Sequence, residues 1–221
     1  MAINIAIDGP SAAGKTTIAD IVAEKLGYTH LDTGAMYRAV AYQTVQENIA
    51  IDDEEKIVPM ISRMNLEMKK DGRVILNGED VSSKIRTNEM SMGASNVSKL
   101  LGVRAALVKM QQNICKSGGY ILDGRDIGTV VLVDAPVKVF MVASAEARAK
   151  RRVAQNKEKG IEGDDYETIL QEIEKRDYQD SHRQNSPLKQ ADDAVLIDTS
   201  DLTIQEVVDK VMALVNAKLG E

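Results

Sequence analysis

The run Ile3-Asn4-Ile5-Ala6-Ile7-Asp8-Gly9-Pro10-Ser11-Ala12-Ala13-Gly14-Lys15-Thr16 decides the fold. Ile3 to Ile7 is short, β-branched and mostly apolar, and it stops at a Gly-Pro breaker, the pattern of a strand buried on both faces. From Lys15 a helical period runs through Ile18, Ile21, Val22, Lys25 and Leu26 and ends at Gly27, the residue type that closes helices. Between strand and helix, Gly9 to Thr16 satisfies G-x-x-x-x-G-K-[ST] in the structural context that this motif demands. Its glycines let backbone N–H groups approach phosphate oxygens, and the helix start adds the positive end of its dipole. Lys15 brings a full charge to the β- and γ-phosphates, and the Thr16 hydroxyl suits Mg²⁺. The candidate ATP-binding set is Gly9, Pro10, Ser11, Ala12, Ala13, Gly14, Lys15, Thr16 and Thr17, with Mg²⁺ as the accompanying ion.

Strand and helix patterns recur outward from this unit. Tyr120–Leu122 and Val137–Val142 read as strands, the second followed by Ser144 as an N-cap. Val195–Ile197 is followed by the capping box Thr203…Glu206 and a helix through Val207, Val211, Leu214 and Val215. This alternation predicts an α/β fold, a parallel sheet of the P-loop type covered by helices on both faces. Residues 52–98 break the rhythm. A helix opened by Asp52…Glu55 is followed by Leu66–Lys69 and Arg73–Leu76 around Asp71-Gly72, a hairpin whose end Asn77-Gly78 marks. This reads as an insertion with a small antiparallel sheet. Residues 156–165, rich in Gly, Lys and acids between two charged helices, are placed as a lid. The core then comprises roughly 1–51, 99–155 and 166–221 of a single unit.

With 221 residues, 43% of them hydrophobic, the chain can bury a substantial core. Its 28 basic and 34 acidic side chains give a net charge of −6, which argues against non-specific nucleic-acid binding and confines any polyanion site to a local patch. Cys115 is the single cysteine, so neither an intramolecular disulfide nor a cysteine zinc cluster is expected. The N-terminus lacks the basic segment of a signal peptide, and no window reaches the 18 apolar residues of a membrane span. A cytoplasmic protein without nucleic-acid or membrane partners is expected.

A second acid belongs to the loop. Tyr120-Ile121-Leu122-Asp123 is an apolar strand ending in a carboxylate, where a Mg²⁺-linked aspartate stands in P-loop proteins, so Thr16 and Asp123 form the candidate metal set. Arginines mark the same edge. Arg38 lies in Asp32-Thr33-Gly34-Ala35-Met36-Tyr37-Arg38 and Arg125 in Asp123-Gly124-Arg125-Asp126, each after a strand's carboxyl end, where ligands of open α/β sheets bind. Arg176, Asp180 and Arg183 fall at i, i+4 and i+7 on one face of a helix starting near Asp165.

At these residues the chain closely resembles the bacterial cytidylate kinases. The likeness spans nearly the whole length and rests on Ile7 to Lys15, Leu31 to Arg38, Asp123-Gly124-Arg125-Asp126-Ile127-Gly128-Thr129, and Arg176-Asp177 through Arg183 to Ser186-Pro187-Leu188. It implies transfer of the γ-phosphoryl of ATP to CMP or dCMP, with poor use of UMP, by a monomer. It further implies that Thr33, Tyr37, Arg38, Arg125, Arg176 and Arg183 surround the acceptor's phosphate and sugar, that Asp180 meets the ribose hydroxyls, and that Ser95, Arg104 and Asp126 read the cytosine. A carboxylate facing the N4 amino group and a guanidinium facing N3 and O2 agree with cytosine's donor and acceptor pattern. Lys15, Arg125, Arg151 and Arg152 are the expected catalytic set, the last two swinging from the lid helix, which also carries Arg148. His30 and His182 are read as structural or surface residues. A kinase for another nucleotide or a small metabolite is one competing reading. A nucleotide-binding switch is the other, and no Asn-Lys-x-Asp guanine motif supports it.

Overall fold

The computed structural model describes residues 2–158 and 165–220. In chain order its elements are β1 (Ile5–Asp8), α1 (Lys15–Leu26), β2 (Thr29–Asp32), α2 (Thr33–Gln46), α3 (Glu54–Arg63), β3 (Leu66–Met68), β4 (Val74–Leu76), β5 (Glu79–Asp80), α4 (Asn88–Val97) and α5 (Leu101–Ile114). They continue with β6 (Tyr120–Gly124), a π-helical turn at Ile127–Val131, β7 (Val137–Val142), α6 (Ala145–Glu158), α7 (Tyr166–His182), β8 (Val195–Asp198) and α8 (Ile204–Leu219).

The main sheet has the order β2-β6-β1-β7-β8, and every neighbouring pair is parallel. Alternation along the central strand divides the core. Ile5 and Ile7 face α1 and α8 with Val139, Met141, Val207 and Val211, while Ala6 faces the opposite layer with Leu31, Leu122, Met36 and Leu107. Both faces are therefore dry, which is why these strands read as continuous apolar runs. The expected α/β sheet covered on both faces is the observed one.

The local readings need small corrections. The first strand pairs from Ile5, because Asn4 turns its side chain onto the Cys115 carbonyl, and it extends through Asp8. The helix after residue 52 is capped by Asp53, whose carboxylate accepts from Lys56 N, and starts at Glu54. Asn77-Gly78 does not end the hairpin but turns it into β5, so the small sheet has the antiparallel order β3-β4-β5. Val74, Leu76, Val81 and Ile85 pack it against Ala35 and Ala39 of α2. The capping box at Thr203 and Glu206 is present, and Gly27 closes α1 at φ 68°. Residues 159–164 of the expected lid lie outside the described residues.

Candidate active site

All five parallel strands deliver their carboxyl ends to one edge, and the register sets Asp8 beside Gly124 and Asp32 beside Asp123. After β1 the chain turns at once. Gly9 sits at φ 150°, and a Cβ there would run into the carbonyl oxygen of Met141, so only glycine fits against β7. Gly14, at φ 90°, then opens α1. Lys15 is buried and donates to the Pro10 carbonyl at 2.6 Å. Burial, reinforced by the Arg125 charge and opposed by Asp123 and Asp8, holds its ammonium down at about 7. A cation in so dry a position has its charge restored by an anion close by.

Beside it, Thr16 Oγ1 donates to Asp123 Oδ2 at 3.0 Å, so a hydroxyl and a carboxylate stand together at the mouth of the loop. This hard-oxygen pair fits Mg²⁺ bound chiefly through substrate phosphates and water. It is also consistent with there being, among the described residues, no cluster of three or more acids, histidines or cysteines able to cage a metal. The other oxygen of Asp123 is held by His30 Nε2 at 2.8 Å, and His30 Nδ1 meets Asp20 at 2.7 Å. Burial would lower the imidazole, but the two carboxylates outweigh it and raise it to about 10. Asp123 is correspondingly pulled down by His30 against its own burial.

Across the edge, arginines converge from separate elements. Arg38 on α2 pairs with Asp32 at 2.8 Å, and Arg125 Nε donates to Asp180 Oδ2 at 2.7 Å. Arg104 on α5 is buried, pairs with Asp126 and lies over the Tyr37 ring with its guanidinium carbon 5.7 Å from the centroid. Arg183 Nη2 stands 3.6 Å from the other Asp126 oxygen, an ion pair too long for a hydrogen bond. Among the described residues, four guanidinium atoms, Arg38 Nε, Arg104 Nε, Arg176 Nε and Arg183 Nη2, are buried without a hydrogen-bond partner. Burial and the neighbouring Arg125 hold Arg176 down at about 10. Buried donors crowded by like charge describe a site shaped for an anion that the chain itself does not supply.

The chain matches the cytidylate kinase family over residues 5–217. It belongs to that family. The cytidylate kinase of Bacillus subtilis is 51% identical over 98% of this chain and 97% of its own, and that of Caldicellulosiruptor bescii 52% over 96% and 95%. A solved shikimate kinase from Bacteroides thetaiotaomicron shares the fold at a TM-score of 0.51 and 12% identity, covering 97% of this chain and 98% of that one.

In this family member the edge brings together the glycine loop with Thr16, then Asp123, Thr33, Tyr37, Arg38, Arg104, Arg125, Asp126, Arg176, Asp180 and Arg183, while Thr17 follows on α1 and is exposed. Thr33 donates its hydroxyl to the Asp123 carbonyl at 2.7 Å. Ser95, on α4, is buried; its hydroxyl donates to Gln179 Oε1 at 3.5 Å and its carbonyl accepts from Ser98 Oγ at 2.8 Å. Arg183 is not on the helix face expected for it. It is the residue after α7, in extended backbone, and its Nε donates to Ser186 O at 2.6 Å. Arg151 is engaged at the β8–α8 junction, donating to Thr199 Oγ1 at 3.1 Å and to the Thr199 carbonyl. Arg152 carries no such bond among the described residues and lies near enough to Arg176 to depress it further.

Three residues take roles here that the sequence did not assign to them. His30 holds Asp123, and nothing in a lone histidine announces that. Arg148 is buried, donating to Ser11 O at 3.1 Å and pairing with Asp177 at 2.6 Å, so it ties the glycine loop to α7 and is not a swinging group. Asp8 ends an apolar strand just as Asp123 does, a signal that was available.

Proposed function

We propose that this chain transfers the γ-phosphoryl group of ATP to CMP or dCMP, giving ADP and CDP or dCDP. The observation that carries this reading is the set of partnerless guanidinium N–H groups on the sheet edge that also bears the glycine loop. A nucleotide switch has no use for that second anion site.

ATP lies with its phosphates on Gly9 to Thr17, and Lys15 moves from the Pro10 carbonyl to the β- and γ-phosphates. Thr16 and Asp123 hold Mg²⁺, which supplies charge neutralisation at the phosphates, and His30 keeps the Asp123 carboxylate aimed. The acceptor's phosphate takes the free donors of Arg38 and Arg176, with Arg125 and Arg183 beside it and Thr33 and Tyr37 closing the pocket. Asp180 accepts from the ribose. Arg104 and Asp126 read cytosine, with Ser95 behind them. Phosphoryl transfer asks for alignment and charge stabilisation, and the acceptor is already an anion, so no protein nucleophile or general base is assigned. Arg152, and Arg151 once it leaves Thr199, complete the cationic frame around the moving group. Residues 52–98 serve as the acceptor-binding unit and 156–165 as the lid. Among the described residues no helix is long and apolar enough to cross a membrane, and we place the enzyme in the cytoplasm as a monomer.

Measuring ADP release from ATP with CMP, dCMP, UMP, AMP or no acceptor tests the reading. Rapid turnover with the cytidine nucleotides alone supports it. Equal rates with and without acceptor would sink it, and preference for AMP would move the chain to a different acceptor.

A further inference from the structure

The π-helical turn Ile127–Val131 starts without the cap that its own sequence offers. Asp126 occupies the N-cap position, where an aspartate ordinarily bends its carboxylate onto the free N–H groups of the first turn. Here it makes no such bond. Its carboxylate points to Arg104 and Arg183. The vacated N–H groups go to a residue far away in sequence: Asp8 Oδ1 accepts from Ile127 N at 2.8 Å and Asp8 Oδ2 from Gly128 N at 2.7 Å.

This substitution is built into the fold. Asp8 ends β1, next to β6, whose last residue Gly124 is its register partner. The two-residue link Arg125-Asp126 then brings the turn back over the strand end. A Cβ at Gly128 would press on the Lys138 stem at 3.2 Å and lie in contact with the Asp8 carboxylate at 3.4 Å, so the turn passes close over the strand end at that position. Asp8 is buried, and both its oxygens are taken up by the two amides. If it were removed, two buried N–H groups would lack an acceptor, and leaving buried donors unsatisfied is unfavourable. The carboxylate best placed to supply them is Asp126 itself, by rotation into the ordinary capping rotamer. Arg104 would then lose its partner, and the base-reading pair would come apart.

We propose that Asp8 is a positioning residue for acceptor recognition: by capping the π-helical turn in place of Asp126, it leaves the Asp126 carboxylate free to face the acceptor's base. The inference rests on the function proposed above, with Asp126 as the base reader. It also joins the two halves of the site, because the residue that frees Asp126 is the one from which the glycine loop departs.

Initial rates with CMP and UMP for wild type, Asp8→Ala, Asp126→Ala and the double variant test this. Asp8→Ala is expected to lower the ratio of kcat/KM for CMP over UMP by about tenfold or more, chiefly through the KM for CMP, while the KM for ATP stays within about threefold. In the Asp126→Ala background the same change is expected to leave the ratio where it was, since the residue through which Asp8 acts is gone. Asp8→Asn, isosteric and retaining one acceptor oxygen, guards against loss of folding and is expected to shift the ratio in the same direction by less. An unchanged ratio in folded Asp8→Asn and Asp8→Ala overturns the proposal. So does an effect of Asp8→Ala that multiplies fully with that of Asp126→Ala, or a fall in kcat shared equally by both acceptors. A wild-type enzyme without preference for CMP would instead overturn the functional reading, and that outcome is visible before any variant is made.

Discussion

The proposed donor and acceptor halves of this site are built in opposite ways. The phosphate loop is one run of residues whose backbone makes the site, with Gly9 and Gly14 at positive φ and a lysine resting on the Pro10 carbonyl. The acceptor half has no such frame. Its arginines come from α2, α5, the turn after β6, α7 and the residue following α7. Three of them are hydrogen-bonded to carboxylates, Arg38 to Asp32, Arg104 to Asp126 and Arg125 to Asp180, and Arg183 is ion-paired to Asp126 at longer range. A backbone-made site is disturbed by an added Cβ and a side-chain-made one by a missing charge. The second must also exchange internal ion pairs for ligand contacts when its substrate arrives, so its geometry depends on its occupant more than that of the loop does.

The sharpest break in that comparison is Lys15→Met. Removing the one charge the loop adds to its backbone donors is expected to lower turnover with CMP about 10³-fold, the scale of a lost preorganised charge in transfer chemistry. Burial holds this ammonium down at about 7, so an apolar replacement of similar length is expected to leave the melting temperature unchanged or raised. Turnover within a few-fold of wild type would remove Lys15 from the mechanism.

Asp8 belongs to both halves, and its titration tests whether they are joined. Burial raises it to about 6, opposed by the Gly128 and Ile127 amides, with the Asp126 charge adding to the rise and Lys15 subtracting. A carboxyl raised above its unfolded value binds its proton more tightly in the folded state. Its contribution to stability is therefore fully present below about 3.8 and is lost as pH rises to about 6, a span on the order of 3 kcal/mol. Subtracting the denaturation profile of Asp8→Asn from that of wild type between pH 3.5 and 7, roughly the window these values define, is expected to show this slope and no further change at higher pH. A flat difference would place Asp8 in a wetter setting than the one described.

Arg176→Met addresses the acceptor half alone. Its Nε lacks a partner among the described residues, so its loss is expected to raise the KM for CMP about 30- to 100-fold while the KM for ATP moves less than about threefold. The melting temperature should change little, because burial already disfavours this charge. If the KM for ATP rose in parallel, the two halves would be one coupled network.

The same contrast explains what was legible in the sequence. The loop, the helix after it and the central strands are local patterns, and they were read almost to the residue. The Asp123 to Thr16 pair followed from an acid at a strand end. The acceptor half was visible as arginines at strand ends, but which carboxylate holds which arginine is long-range geometry with no period in the chain. The Asp8 cap spans 119 and 120 positions, and Arg148 reaches Ser11 across 137. Arg183 was placed on α7 by its spacing alone, yet the helix ends at His182, and its extended backbone is what turns the guanidinium toward Asp126.

Ser95→Ala sharpens the comparison at its weakest contact. Ser95 is buried on α4, and among the described residues its hydroxyl donates to Gln179 of α7 at 3.5 Å, a marginal bond. Replacing it removes one neutral donor, worth about 1 kcal/mol. The KM for CMP is therefore expected to rise only about three- to fivefold with kcat unchanged, in keeping with a recognition network carried by charge. A fall of tenfold or more in kcat, measured at saturating ATP and CMP, would mean that the acceptor pocket closes around this hydroxyl during turnover. The acceptor half would then depend on induced fit at α4, in addition to the preformed arginines.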